Sequence, residues 1–196
     1  VECIWKIGDK VKYIGEKRIS TGSKWPTIRA KAAFSLPDFY QSTVNYQRFA
    51  LDIYQTIPIR GTGNFSYLVS LGHLVGDVPL YLSFVAPGTG GEWNLSVANT
   101  FETIKASSFY NTTMASSFMR FSFKKMKTGV KWTSPQFILH HAVGIGTFDQ
   151  KSLHNVAFQS FSKGYFEGGV LINNLLNIST TGLGIGCFYN YGAYSS

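Results

Sequence analysis

The feature that most constrains this chain is a strict alternation of apolar and polar residues that recurs along its length. In the clearest stretch, Phe49, Leu51 and Ile53 would lie on one face of an extended strand. Arg48 and Asp52 would lie on the opposite face, because successive side chains of a strand point to opposite sides. A series of amphipathic strands of about ten residues is typical of a sheet that closes inside a membrane.

The alternation assigns a face to each strand residue. The apolar stripes, which we predict to face lipid, contain Phe49, Leu51, Ile53, Phe65, Tyr67, Val69, Leu71, Met119, Phe121 and Phe123. The residues predicted to face the interior (lumen) of a barrel are charged, and they are Arg29, Lys31, Arg48, Asp52, Arg120, Lys124 and Glu167. Lipid offers no hydrogen bonds, so such a sheet is stable in a membrane only when every strand is paired and the sheet closes. We therefore expect an all-β fold, an antiparallel transmembrane β-barrel.

The composition fits a membrane barrel better than a water-soluble domain. Only 14% of the residues are charged and 16% are aromatic, whereas charged residues make up roughly 25% of soluble domains. The chain has no run of apolar residues long enough for a membrane-spanning helix. Its mean hydropathy of +0.01 is near the balance expected when lipid-facing and interior residues alternate.

The net charge of +8 would attract acidic partners. Many of the basic residues lie within the first 31 positions. Nucleic acid, acidic polysaccharide and anionic lipid head groups are the partners that suit such a charge. The chain has neither a zinc-finger spacing nor a basic helix, so we do not expect it to bind nucleic acid.

Turn-forming residues divide the chain into strands joined by connections of unequal length. Residues 10–26 are predicted as a long basic loop, Leu36-Pro37-Asp38 as a turn, and residues 75–99 as an irregular stretch with a brief extended piece at 80–85. The predicted strands cover residues 3–7, 27–34, 46–57, 64–74, 100–106, 116–126, 136–146, 165–172 and 180–191.

The histidines and cysteines do not have the spacing of a metal or redox site. His140 and His141 are adjacent in a predicted strand and point to opposite faces, so they cannot share a metal ion without distortion. Cys3 and Cys187 could form one disulfide, but we favour two separate apolar side chains. No metal or other cofactor is predicted.

The carboxylates also give no catalytic pattern. Glu92, Glu102 and Glu167 are widely separated in the sequence. Asp52 is interleaved with arginines, which favours structural ion pairs over a pair of catalytic acids. The chain lacks a nucleophile elbow, a credible phosphate-binding loop and a metalloprotease motif. We therefore expect a protein that is not an enzyme.

Several short stretches, taken in order, resemble a functionally uncharacterised family of outer-membrane β-barrel proteins from Bacteroidota-type bacteria. These stretches are residues 6–14 (KIGDKVKYI), 22–27 (GSKWPT), 76–80 (GDVPL), 165–170 (YFEGGV), 173–175 (NNL) and 184–189 (GIGCFY). Full-length members usually carry a carboxypeptidase-regulatory-like domain before the barrel. The family is also distantly similar to BamA-type assembly barrels, although architecture alone does not fix function.

The resemblance implies that residues 1–196 are the C-terminal portion of a larger barrel, a partial domain without its N-terminal region and final strand. Asn173 stands where the family more often has an acidic residue. The chain begins with Val1 and shows no signal peptide, so an exported protein would have a further N-terminal part. The expected location is the bacterial outer membrane. The expected partners are outer-membrane lipid, lipopolysaccharide and other envelope proteins in a complex.

Three functions are compatible with these observations. The first is a non-enzymatic barrel that acts as a scaffold or accessory factor in the export or assembly of envelope proteins. The second is a passive pore whose cationic interior favours anions. The third is a soluble β-sandwich that binds acidic glycans, because alternating faces also occur in soluble sandwiches.

Overall fold

The computed structural model describes residues 1–35, 45–76, 78–91, 95–130, 132–149, 158–178 and 181–195. The predicted turn at Leu36-Pro37-Asp38 and the carboxylate of Glu92 lie outside these residues. Within them the chain is all-β, and it contains no helix long and apolar enough to cross a bilayer.

The secondary structure consists of strands with a single-turn helix before the seventh. The strands are β1 (Glu2–Lys6), β2 (Asp9–Ile14), β3 (Lys17–Ser23), β4 (Thr27–Ser35), β5 (Tyr46–Ile59), β6 (Gly63–Val75), β7 (Phe84–Val85), β8 (Gly88–Gly90), β9 (Phe101–Lys105), β10 (Tyr110–Asn111), β11 (Thr113–Phe123), β12 (Gln136–Thr147), β13 (Tyr165–Ile178) and β14 (Thr181–Tyr191). A 3₁₀ helix covers Leu80–Leu82.

Eight strands form one sheet in the order β1-β4-β5-β6-β11-β12-β13-β14, and each is antiparallel to its neighbours. The sheet is open among the described residues, with β1 and β14 at its edges. Three small pairs lie outside it, namely β2 with β3, β7 with β10, and the parallel pair β8 with β9. The predicted all-β, antiparallel class is confirmed, whereas closure into a barrel is not observed.

The prediction of a loop at residues 10–26 is wrong. β2 and β3 pair as a hairpin whose turn includes Gly15, and its φ of 61° is a left-handed conformation that glycine adopts readily. Val11 and Tyr13 alternate with lysines in β2. The pattern of a strand is therefore present in the sequence, but it is obscured by the density of charge.

Strand β13 is longer than predicted. Its pairing with β14 continues beyond Ile172 after an irregularity in register between Ile172 and Leu176. Asn174 lies in this irregularity with a φ of 57°. A β-bulge bends a strand without ending its pairing, which explains why the predicted end at Ile172 is too early.

The hydrophobic core lies against one face of the sheet. We call residues 78–111, which connect β6 to β11, the inward segment, because its described residues fold back over that face. Phe101, which is fully buried, contacts the rings of Phe118 in β11 and Tyr165 in β13 at centroid distances of 4.9 and 5.4 Å. A Cβ atom on Gly144 of β12 would lie 2.7 Å from the ring of Phe161. This glycine therefore lets the aromatic core approach the sheet closely.

Candidate functional site on the charged face of the sheet

The strand register shows which residues share a face. Asp52, Ser70, Ser116, Gly144 and Tyr165 are paired in succession from β5 to β13 and form one cross-strand row. The predicted interior residues that lie within strands follow the same alternation, and we call their side the charged face; they are Arg29, Lys31, Arg48, Asp52, Arg120 and Glu167. Lys124 follows the end of β11 and is exposed.

The residues predicted to face lipid all lie on the opposite side, which we call the apolar face; they are Phe49, Leu51, Ile53, Phe65, Tyr67, Val69, Leu71, Met119, Phe121 and Phe123. Leu139, Ile145 and Val170 extend this face across β12 and β13, with 46%, 52% and 44% of their surface exposed. Apart from the eight-stranded sheet, the described chain forms only two-stranded sheets. The contact of this face with lipid, and of the charged face with a lumen, stays a prediction.

The best-defined polar site is the carboxylate of Glu167, whose side chain is completely buried. The backbone N–H groups of Glu102 and Thr103 donate hydrogen bonds to it, at 2.9 and 2.8 Å. The Thr103 hydroxyl also donates to this carboxylate, and the Tyr165 hydroxyl lies 2.5 Å from the Thr103 hydroxyl. Strand β13 therefore holds strand β9 of the inward segment through one carboxylate.

Glu102, whose backbone N–H binds Glu167, carries a second carboxylate. The side chain of Glu102 is buried and accepts hydrogen bonds from Ser96 Oγ and Thr89 Oγ1, at 2.7 and 3.0 Å. It also interacts electrostatically with the guanidinium of Arg120 in β11. The inward segment thus brings its own negative charge to a cation of the sheet.

His140 completes this cluster from β12. Its Nε2 lies 3.4 Å from Glu167 Oε1, a contact that is an ion pair only when the ring is protonated. The imidazole also contacts the ring of Phe188 edge-on, at a centroid distance of 5.7 Å. His141 lies on the apolar face instead, where its Nε2 is 2.6 Å from the Tyr191 hydroxyl.

The charged face is more open over β1, β4 and β5. Glu2 Oε1 lies 3.6 Å from both Arg29 Nε and Lys31 Nζ, and the three side chains are 36–48% exposed. Asp52 is opposite Arg29 in the register, yet it accepts a hydrogen bond of 2.7 Å from Ser70 Oγ, while Arg29 contacts Glu2. The expectation that Asp52 forms its ion pair among the arginines is therefore not met by the contacts observed.

The sequence did not predict that Glu102 and Glu167 would meet. They are 65 positions apart, and the alternation of β13 assigns Glu167 to a face without indicating which loop covers it. The available signal was the position of Glu102 within a predicted strand, between the apolar residues Phe101 and Ile104, which are also buried. In the described part of the chain, no three His, Cys, Asp or Glu side chains are grouped so that they could hold a metal ion.

The two cysteines are both free and exposed. Cys3 lies in β1 and Cys187 in β14, which are the two edges of the eight-stranded sheet. The preference for two unlinked thiols over a disulfide therefore agrees with the structure.

Comparison with known protein families gives one partial match. Residues 1–83 match the C-terminal domain of a family of unknown function (DUF5686). The matched region includes β1 to β6, whereas Glu102, Arg120, His140 and Glu167 lie beyond it. Searches of curated proteins and of solved structures give no significant match.

Proposed function

We propose that this chain forms part of the wall of an outer-membrane β-barrel that acts, without enzymatic activity, as a scaffold or accessory factor in the export or assembly of envelope proteins. The observation that carries this proposal is that the sheet buries charged side chains on one face and exposes apolar side chains on the other, the reverse of a water-soluble protein. Glu167 and His140 are buried on the side of the sheet that the inward segment covers, while Leu139, Ile145 and Val170 are exposed on the other side. In water a broad exposed apolar surface is unfavourable, whereas hydrocarbon would cover it without cost.

The strand lengths support the membrane location. Strands β5 and β13 each contain 14 residues, and β12 contains 12. A tilted strand needs about 9–11 residues to cross the hydrocarbon core. The edges β1 and β14 would have to be paired in a bilayer, and further strands of a larger barrel would provide that pairing.

The inward segment favours a scaffold over an open pore. Phe84, Phe101 and Phe109 of this segment are buried, and Glu167 fixes its backbone to β13. A segment packed against the inner wall reduces the cross-section available for conduction. The expected partners are outer-membrane lipid, lipopolysaccharide and other envelope proteins.

The runner-up is a passive pore that favours anions. Arg29, Lys31 and Arg48 lie on the charged face near β1. Phe84 of the inward segment contacts Arg48, whereas Arg29 and Lys31 are partly exposed. A cationic lining of this kind raises the local concentration of anions. The soluble sandwich has less support, because the exposed apolar face would have to be its interior.

The proposal is tested in a bacterium that encodes the full-length protein. Deletion of the gene should lower the outer-membrane content of other envelope proteins, measured by quantitative proteomics of purified outer membranes. Wild-type protein should restore it, and the purified protein should give no steady conductance in planar bilayers. An unchanged envelope proteome together with anion-selective conductance would replace the scaffold with the pore. A protein that remains soluble without detergent would overturn both.

A further inference from the structure

The part of the charged face formed by β4 and β5 contains two buried arginine N–H donors without an acceptor in the described chain. The Nε atoms of Arg29 and Arg48 are shielded from solvent, and neither has a hydrogen-bond partner in the described chain. Buried polar groups in folded proteins nearly always have such a partner. An acceptor supplied from outside the chain would satisfy this need.

A cavity adjoins one of these arginines. Its volume is about 430 Å³, and Arg48 and Lys31 both line it. Lys31 is opposite Ala50, two residues from Arg48, so the two cations are diagonal neighbours across β4 and β5. Long side chains at diagonal positions can reach a common ligand.

The carboxylates that line the same cavity already have partners. Glu2 is shared between Arg29 and Lys31, and Asp52 accepts a hydrogen bond from Ser70. Three cationic side chains therefore face two carboxylates on this part of the charged face. The excess positive charge belongs to the region around Arg48.

The inward segment positions Arg48. The guanidinium carbon lies 4.4 Å from the centre of the Phe84 ring, a cation–π contact that fixes the plane of the group. Gly72 of β6 leaves the space for this ring, since a Cβ there would lie 2.6 Å from Phe84 Cε1. A guanidinium held in one plane loses little freedom when it binds an oxyanion through two N–H groups.

We propose that Arg48 and Lys31 bind a phosphate-class oxyanion in this cavity. Arg48 would donate in-plane hydrogen bonds to two oxygens, and Lys31 would supply a second positive charge. Glu2 would remain with Arg29. This site goes beyond the scaffold function and does not depend on it, because the residues that line the cavity belong to β4, β5 and the first two positions of the chain.

The test uses full-length protein purified in a nonionic detergent and titrated with inorganic phosphate at constant ionic strength. Isothermal titration calorimetry should show saturable binding. Arg48→Met should weaken it by about tenfold or more, since a hydrogen bond to a charged group contributes roughly 1.5–3 kcal/mol. The matched control is Arg60→Met, which removes an arginine exposed in the turn between β5 and β6 and should leave the affinity unchanged.

Two further measurements keep the result decisive. Arg48→Lys keeps the charge and should recover part of the affinity, and heat-modifiable migration on a gel establishes that each variant is folded. A short-chain phosphatidic acid that competes with phosphate would identify a lipid head group as the source, whereas no competition would identify a soluble anion. Absence of saturable binding by the wild type, or equal binding by folded Arg48→Met, would overturn the site.

Discussion

The two halves of the charged face differ in how their charges are held. Over β11–β13, Glu167 is buried beneath the inward segment and Glu102 is buried within it, and several directed hydrogen bonds satisfy both carboxylates. Over β1, β4 and β5, the ion pairs of Glu2 are 3.6 Å long, and their side chains are 36–48% exposed. Directed bonds in a dry site fix structure, whereas exposed ion pairs contribute little to stability. The first half therefore anchors the inward segment, and the second is accessible to ligands.

The largest expected effect is at Glu167. Glu167→Ala leaves two backbone N–H groups and the Thr103 hydroxyl without their acceptor, so we expect a loss of about 3–5 kcal/mol, as when one partner of a buried charged pair is removed. Urea-induced unfolding in detergent measures the loss. Trypsin should also cleave faster at Lys105, in the inward segment. The half-buried Asp52, with its one hydrogen bond from Ser70, gives the control, because Asp52→Ala should cost far less. Equal losses would show that the two halves do not differ.

Strand β5 allows the two faces to be compared directly. Leu51→Arg places a charge on the apolar face, which should cost roughly 2–4 kcal/mol near the middle of a membrane and abolish assembly. Arg48→Leu, on the charged face, should assemble normally. Heat-modifiable migration on a gel distinguishes folded from unfolded protein. Equal damage by both substitutions would refute the assignment of faces.

Adding a methyl group between the sheet and the aromatic core over β11–β13 should lower stability by less than the two substitutions above. In Gly144→Ala the added methyl would meet Phe161 and Phe101, at 2.7 and 3.0 Å, and we expect a loss of about 1–3 kcal/mol. Gly168→Ala is the control, because the nearest atom to its Cβ is Tyr191 Cε1 at 3.9 Å. Thermal unfolding of the two variants side by side should lower the midpoint only for Gly144→Ala. A similar shift in both would mean that the core does not press on the sheet at Gly144.

The smallest effect should come from the open half. Glu2→Gln removes a half-exposed ion pair with Arg29 and Lys31, and we expect a change of about 0–1 kcal/mol that shrinks as salt is added. Urea unfolding at low and high salt measures it. A salt-independent loss as large as that of Glu167→Ala would remove the distinction between the halves.

The strands and their faces could be predicted from the sequence because period two acts locally. Phe49, Leu51 and Ile53 identify both a strand and a side of it, and the register of β4, β5, β6 and β11 agrees with that reading. The β2–β3 hairpin was missed because its lysines resemble a loop. The predicted end of β13 at Ile172 is too early because the irregularity at Asn174 interrupts the local pattern although the pairing continues beyond it.

The candidate site could be predicted only in part. Alternation placed Glu167 and Arg120 on one face, but the meeting of Glu167 with Glu102 depends on how the inward segment folds back. Such a long-range contact has no local signal, since it arises from buried aromatic residues such as Phe101 and from the glycines that admit them. The cavity beside Arg48 likewise depends on the pairing of β4 with β5.

The central claim is that the apolar face contacts hydrocarbon while the charged face does not. Its most direct test is nitroxide scanning of β5 in reconstituted membranes, with Cys3 and Cys187 replaced by serine and single cysteines placed from Arg48 to Tyr54. Power-saturation EPR should show high accessibility to oxygen at Phe49, Leu51 and Ile53, and low accessibility to it at Arg48, Asp52 and Tyr54. Equal accessibility of all six positions to a water-soluble nickel chelate would contradict the claim.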